Sequence, residues 1–488
     1  MLFSTRRCKK RMYAAGIAVL TICLLLTFRN FVAENLKSDD HDRNLAFGAG
    51  SIRTEQLVAN VANLTNMSVR SDIPIIVWWT PRLYLRPDLD LTECKNGHAC
   101  YLSANRKHMS NPMTRGLIFY GTDIEPGDLP SPRVPHREWA LFHEESPMNI
   151  QLLQHCRFFR LFNHTATFKR ESDFPLTTQS IINLAYLVER KPVSIAEKNS
   201  YRKRGYAPVL YVQSHCNVAS YRDIYVKELM KHLEVDSYGS CLNNKQFEST
   251  DLDDAVESMN APKFLDLISR YKFHLAFENA LCDDYMTEKL FRVIHVGSVP
   301  VYRGSPRAPD WMPDNKTIIM VDNFTTPLEL ANYIKYLDAN DDEYESYLNY
   351  RKPKGITNQF LRQQIHDREW GCNDLYMPNF IEAFECHVCE KISERYKHET
   401  ARRSDPSLEP LPPKIAHVDQ MRCPVPHKPF GILDDNKNND RNEIDWKEDF
   451  WSGMDRAKAV DRMLKDGVSG SDTFMKYWDD VVREINRD

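Results

Sequence analysis

The 488-residue chain has no excess of basic charge: 64 Lys and Arg against 68 Asp and Glu leave a formal net charge of −4. That balance excludes a chain-wide electrostatic grip on nucleic acid and leaves only a local basic pocket to hold an anionic ligand. There is no second cysteine pair at a spacing related to Cys386-His387-Val388-Cys389. Cys372, Cys423 and His387 supply a zinc set only loosely, so structural disulfides take precedence over zinc or redox chemistry. No Asp-x-Asp, the short pattern that often holds a divalent metal, follows an obvious buried strand. Asp88-Leu89-Asp90 comes after Arg86-Pro87, and Asp251-Leu252-Asp253 lies in an acidic stretch. The chain is not poor in large apolar residues: 42% hydrophobic and 11% aromatic exclude a mainly disordered polymer. At roughly 100–200 residues per domain, its length calls for two or three folded units.

What is present begins at the N-terminus. Arg6, Arg7, Lys9, Lys10 and Arg11 precede Met12–Phe28, which has no charged side chain and stops at Arg29. At about 1.5 Å rise per residue such a run is close to the minimum that crosses a bilayer core, and the flanking basic residues orient the remainder away from the cytosol. The alternative is a cleaved signal peptide, whose apolar core is usually shorter. Five N-x-S/T sequons, at Asn63, Asn66, Asn163, Asn315 and Asn323, are candidate glycosylation sites. Once export is granted, the cysteines beyond Cys8 and Cys23 face an oxidising lumen, where disulfides are the default.

The predicted organisation is a cytosolic tail at 1–11, a signal anchor at 12–28 and a polar lumenal stem at 29–71, followed by two α/β domains at 72–190 and 206–390 and a linker with a helical extension at 391–488. Apolar runs open the first domain at Ile73–Trp79 and recur at Leu117–Tyr120, Trp139–Phe142 and Phe158–Phe162. Lys191–Gly205, rich in Lys and Arg, reads as a linker. In the second domain strands at Ala207–Gln213, Lys272–Phe277, Ser298–Tyr302 and Thr317–Val321 alternate with helices at Ile224–Leu233, Tyr285–Val296 and Pro327–Leu337. Alternation of this kind implies parallel sheets built from βαβ units, with ligands at the carboxyl ends of the strands.

The densest constellation of chemistry-bearing residues is Phe273-His-Leu-Ala-Phe-Glu-Asn279, then Asp284-Tyr-Met-Thr-Glu-Lys-Leu-Phe291, then Gly297-Ser-Val-Pro300. Tyr285, Glu288 and Lys289 stand at i, i+3 and i+4 and are expected on one helical face near a helix N-terminus. A phosphate is favoured there by backbone N–H groups and the helix dipole, and Lys289 adds a charge-assisted contact while Glu288 can accept from ribose hydroxyls. An exposed Glu–Lys pair with no ligand is the plainer reading of the same spacing.

Together these three segments resemble the nucleotide-sugar signature of the α1,3-fucosyltransferases, glycosyltransferase family 10, with Ala280 where that family usually has Ser. Phe162-Asn-His-Thr-Ala-Thr-Phe-Lys-Arg-Glu-Ser-Asp173 is similar to a second family segment, and Glu145-Ser146-Pro147 to a third. His143-Glu144-Glu145-Ser146-Pro147, the Cys386–Cys389 pair and the long C-terminal extension resemble a divergent animal branch, that of fucosyltransferases ten and eleven.

The resemblance implies a GT-B-like α/β fold, two Rossmann-like domains facing a central cleft, behind a single-pass type II anchor in the Golgi or endoplasmic reticulum membrane with the catalytic part lumenal. It implies an inverting transfer of L-fucose from GDP-fucose to a glycan hydroxyl, α1,3 to GlcNAc. The alternatives are transfer to Ser or Thr of a folded secretory-pathway protein, or a non-catalytic lumenal binding module. It assigns Glu145 as base, with Glu144 as rival, and Arg170, Arg222, Asn279, Tyr285, Glu288 and Lys289 to the donor. No cofactor is required in this picture, because protein cations and a helix N-terminus stabilise the departing diphosphate; a divalent metal would at most stimulate. The expected partners are GDP-fucose, a glycan or glycoprotein acceptor and, through one helix, the membrane, with no nucleic acid.

Overall fold

The computed structural model describes residues 70–248, 252, 260–372, 377–429 and 445–485. The predicted tail and anchor, nearly all of the stem, and the sequons at Asn63 and Asn66 lie outside these residues. Among the described residues no helix is long and apolar enough to cross a membrane. Ile73–Phe247 and the described residues from Leu265 onward form one compact unit, and both sheets belong to it.

The first sheet contains β1 (Ile75–Trp78), β2 (Asp90–Glu93), β3 (Ala99–Ser103), β4 (Thr114–Tyr120), β5 (Glu138–His143), β6 (His164–Thr167) and β7 (Phe174–Pro175). Its order is β2-β3-β1-β4-β5-β6-β7, parallel throughout except for the β2–β3 pair. β1 is buried along its whole length, as expected of an unbroken apolar run covered on both faces. The run at Phe158–Phe162 is not a strand. Phe158 and Phe159 sit in a short helix, α1 (Cys156–Phe159), and their rings pack edge-on against Phe162.

The stretch read as a linker carries α2 (Ile195–Lys203), capped by Ser194 and anchored by Lys198. The Lys198 ammonium is buried and donates to Tyr271 O (2.8 Å) and Ser298 Oγ (2.7 Å). The second sheet follows, with β8 (Val209–Val212), α3 (Arg222–Leu229), β9 (Val235–Tyr238), α4 (Pro262–Ser269), β10 (Phe273–Phe277), α5 (Glu288–His295), β11 (Val299–Arg303), β12 (Ile319–Met320) and α6 (Pro327–Ala339). Its order, β12-β11-β10-β8-β9, is parallel throughout, with β10 and β11 in register from Phe273↔Val299 to Phe277↔Arg303. Both sheets are therefore Rossmann-like, with β5 and β10 in their interiors.

After α7 (Asp341–Ser346) and α8 (Gln359–Asp367) the chain returns to the first sheet through α9 (Phe380–Ser404), which an Asn379/Glu382 capping box starts. The expected boundary at residue 390 falls inside this helix. Phe384, Val388 and Ile392 of α9 join Ile76, Ile118 and Phe142 in one core. Cys386 and Cys389, three apart and so on one helical face, form disulfides with Cys94 and Cys100. The C-x-x-C motif is a pair of cross-links, and both bonds join α9 to the β2–β3 hairpin.

The opposite face of the first sheet is covered by α10 (Trp446–Lys465) and α11 (Ser471–Ile485). Val460 and Met463 of α10 pack with Leu152, Phe158 and Phe159, so the extension is core to the first half rather than an appendage. Gly127 has to be glycine, because a Cβ there would collide with the Ser471 backbone at the start of α11.

Candidate active site

β5 delivers His143-Glu144-Glu145 to its carboxyl end, where successive side chains of an extended backbone point to opposite sides. Glu145 Oε2 accepts from the Tyr285 hydroxyl at 3.0 Å, and Glu144 Oε1 accepts from the Tyr120 hydroxyl at 3.0 Å. Only Glu145 therefore faces the second sheet. Burial and then the neighbouring Glu145 push Glu144 up to about 7. Burial also raises Glu145; Lys289 opposes the rise and Glu288 adds to it. A raised carboxylate that is still within reach of an ammonium has the character of a general base working near neutral pH.

Tyr285 belongs to the loop between β10 and α5, and the helix begins three residues later than its spacing suggests. Asp284 has φ 62°, a left-handed conformation that few non-glycine residues adopt, and its carboxylate is fully buried. Arg170 (2.6 Å), Trp311 Nε1 (2.9 Å) and Ser305, whose hydroxyl accepts from Asp284 N (2.8 Å), hold it there. Thr287 then caps the helix, its hydroxyl accepting from Lys289 N. Tyr285, Glu288 and Lys289 still converge, but through this turn rather than as one helical stripe.

Lys289 lies 3.0 Å from Glu288 and 3.9 Å from Glu278, and the two carboxylates raise its pKa against the effect of burial. Burial alone would raise Glu288, but Lys289 and Arg292 hold it down to about 2. Glu278, at the end of β10, is fully buried and pushed up to about 7 by that burial, with Lys289 opposing. Its Oε1 accepts from Thr287 N at 2.8 Å. Sequence reasoning quoted Glu278 within the Phe-Glu-Asn motif without assigning it a role. The available signal was a carboxylate ending a strand that is apolar but for His274, a residue type rarely buried without a partner.

Arg222, the first residue of α3, is buried and donates to Phe277 O (2.9 Å) and His215 O (3.2 Å), so it ties the loop after β8 to the end of β10. Its Nε is a buried donor without a partner, and Asn279 Oδ1 nearby is a buried acceptor without one. The Cys216–Cys241 disulfide secures the same loop. Arg170 does not reach this cluster with a free guanidinium. It pairs with Asp284 and Asp310 and lies over the Trp311 ring at 5.1 Å, which makes it a tie between the halves.

The Cys282–Cys423 disulfide joins the β10–α5 loop to the chain segment after α9. Pro147, Met148, Ala280, Leu281 and Val425 line an apolar recess beside it. Asp88 accepts from Ser103, Asn105 and His108, and Asp90 pairs with Arg86, so the first Asp-x-Asp is occupied in shaping a turn. Among the described residues no group of His, Cys, Asp and Glu is arranged to hold a metal ion. Asn315 and Asn323 are exposed. The Asn163 amide donates to Lys414 O (2.6 Å), and its oxygen accepts from Trp139 N and Arg133.

Two family models match the chain: "Fucosyltransferase, N-terminal" over residues 71–178 and "Glycosyltransferase family 10 (fucosyltransferase) C-term" over 202–405. A protein of Gallus gallus named GDP-fucose protein O-fucosyltransferase 3 is 37% identical over 467 residues, 94% of this chain and 95% of its own. The Rattus norvegicus protein of that name is 44% identical over 358 residues, 72% and 71% of the two chains. A crystal structure of an α1,3-fucosyltransferase with GDP-fucose aligns over 67% of this chain and 93% of its own, at 18% identity and a TM-score of 0.37, too low to carry function across.

Proposed function

Because the chain belongs to glycosyltransferase family 10, the fucosyltransferases, and takes fucose from GDP-fucose, we propose that its acceptor is a Ser or Thr hydroxyl of a protein, with Glu145 as base. The names of its relatives support a protein acceptor over the α1,3 linkage to GlcNAc that the sequence motifs suggested. The observation that carries the site assignment is the 3.0 Å hydrogen bond from Tyr285 to Glu145, which joins the carboxylate of the first sheet to the cation-bearing turn of the second.

In this reading Glu145 removes the acceptor hydroxyl's proton as the acceptor oxygen bonds to C1 of fucose. The C1–O bond to the diphosphate breaks on the opposite side, the configuration inverts, and GDP departs with the electron pair. Lys289, the α5 N-terminus and Arg222 face the diphosphate, while Tyr285 orients the base and Glu288 takes the ribose hydroxyls. The four disulfides support work in an oxidising compartment. With the charged-then-apolar N-terminus, they support residence in the endoplasmic reticulum or Golgi membrane as a type II protein.

The test is mass spectrometry of products after incubation with GDP-fucose and, separately, folded secreted proteins and GlcNAc-terminated glycans. Fucose on Ser or Thr is expected. Fucose on the glycan alone would return the assignment to the α1,3 reading, and failure to bind GDP-fucose would leave only a binding module.

A further inference from the structure

Glu278 is boxed in at the carboxyl end of β10. Gly304 must lack a side chain because a Cβ there would collide with Glu278 Cγ and the Tyr302 hydroxyl. The Glu278 carboxylate accepts from Thr287 N at 2.8 Å on Oε1, and the Thr287 hydroxyl lies 2.8 Å from Oε2. These donors are uncharged, and the nearest cation, Lys289, stops at 3.9 Å.

Charged and titratable groups reach this cluster from every side. α5 presents Glu288, Lys289 and Arg292, β11 presents Tyr302, the preceding loop presents Asp284 and Tyr285, α3 carries Arg222, the loop after β8 carries His215, and Glu145 comes from the first sheet. Lys289 is thus shared among three carboxylates before any ligand arrives. A diphosphate with two negative charges must then enter a cluster whose carboxylates already engage its cations. Glu288 cannot give up its charge, because Lys289 and Arg292 keep it ionised. Glu145 has to stay ionised to act as base. Glu278 remains, and its contacts suit either protonation state: Oε1 keeps its bond from Thr287 N, while a protonated Oε2 donates to the Thr287 hydroxyl in place of Lys289 Nζ, which lies 3.3 Å from that oxygen.

We propose that Glu278 takes up one proton from solvent as GDP-fucose binds, cancelling its charge and releasing Lys289 to the diphosphate. One O–H bond forms on Glu278 Oε2, and no bond of the donor changes. Glu278 is a positioning residue in this scheme, acting through Lys289 and Thr287. Burial has already brought it to about 7, so an added anion carries it through the neutral range. The proposal rests on the placement of the diphosphate at Lys289.

Isothermal titration calorimetry of GDP-fucose into the full-length protein, in buffers of different ionisation enthalpy near neutral pH, counts the protons. Uptake of about one-half to one proton is expected for the wild type and about none for Glu278→Gln, and the wild-type Kd should weaken by up to ~10-fold per pH unit on the alkaline side. Binding without proton uptake, or the same uptake in Glu278→Gln, overturns the proposal and leaves the donor site standing. If the variant does not fold, a wild-type Kd that is flat between pH 7 and 8.5 overturns it equally. A wild type that fails to bind GDP-fucose overturns the donor reading, and this proposal with it.

Discussion

The two halves of the site bring the same side chain, glutamate, into opposite states. At the end of β5, Glu144 and Glu145 each have a tyrosine hydroxyl as hydrogen-bond donor, and burial raises both. At the start of α5, Glu288 is flanked by Lys289 and Arg292 and held down to about 2. The difference lies in the available cations, and it assigns the roles: the first half presents carboxylates able to take a proton, while the second fixes a permanent negative charge beside a permanent positive one. Glu278, in the second half, follows the first half's rule because its donors are neutral.

Removing the cation breaks the comparison most severely. Lys289→Ala leaves Glu145, Glu278 and Glu288 repelling one another with no ammonium between them, and transfer measured with radiolabelled GDP-fucose should fall by about 10²–10³-fold. Tyr285→Phe removes the hydrogen bond that spans the halves but keeps the ring against Phe168 (5.1 Å), and kcat should fall about tenfold with little change in GDP affinity. Glu144→Gln sharpens the contrast within the first half. Glu145 must be ionised to act, so transfer fades as the pH falls through its raised pKa. The repulsion between the two falls on Glu144, which takes its proton first as the pH drops, so the neutral Gln should leave that acid limb within about 0.3 unit of wild type in a pH–rate profile. Asp88→Asn, far from both carboxylate sets, should leave the transfer rate within about twofold, since Asp88 only shapes a turn.

Much of this arrangement was legible in the sequence for simple reasons. A fully buried parallel strand such as Ile75–Trp78 appears as an unbroken apolar run, and the alternation with helices gave the sheet class. The motifs brought Glu145, Tyr285, Glu288 and Lys289 forward, and all four meet. Position i, i+3, i+4 spacing could not reveal that Asp284 turns left-handed and that Thr287 caps the helix, because both depend on distant partners, Arg170 and Trp311 for the one and Glu278 for the other. The pairing of Arg170 with Asp284 was out of reach for the same reason: the two lie 114 residues apart. The C-terminal extension looked polar and detached because its apolar face, Val460 and Met463 among others, is covered by residues near 152–159 that no local pattern connects to it.

In the proposed mechanism Glu145, alone of the adjacent pair, is the base serving a donor held by the other half, and the transfer rate of Glu145→Gln, with GDP affinity measured in parallel, tests that role. The prediction is a fall of about 10²–10⁴-fold in kcat with GDP affinity within about twofold of wild type. A folded Glu145→Gln protein that transfers fucose at the wild-type rate would contradict it.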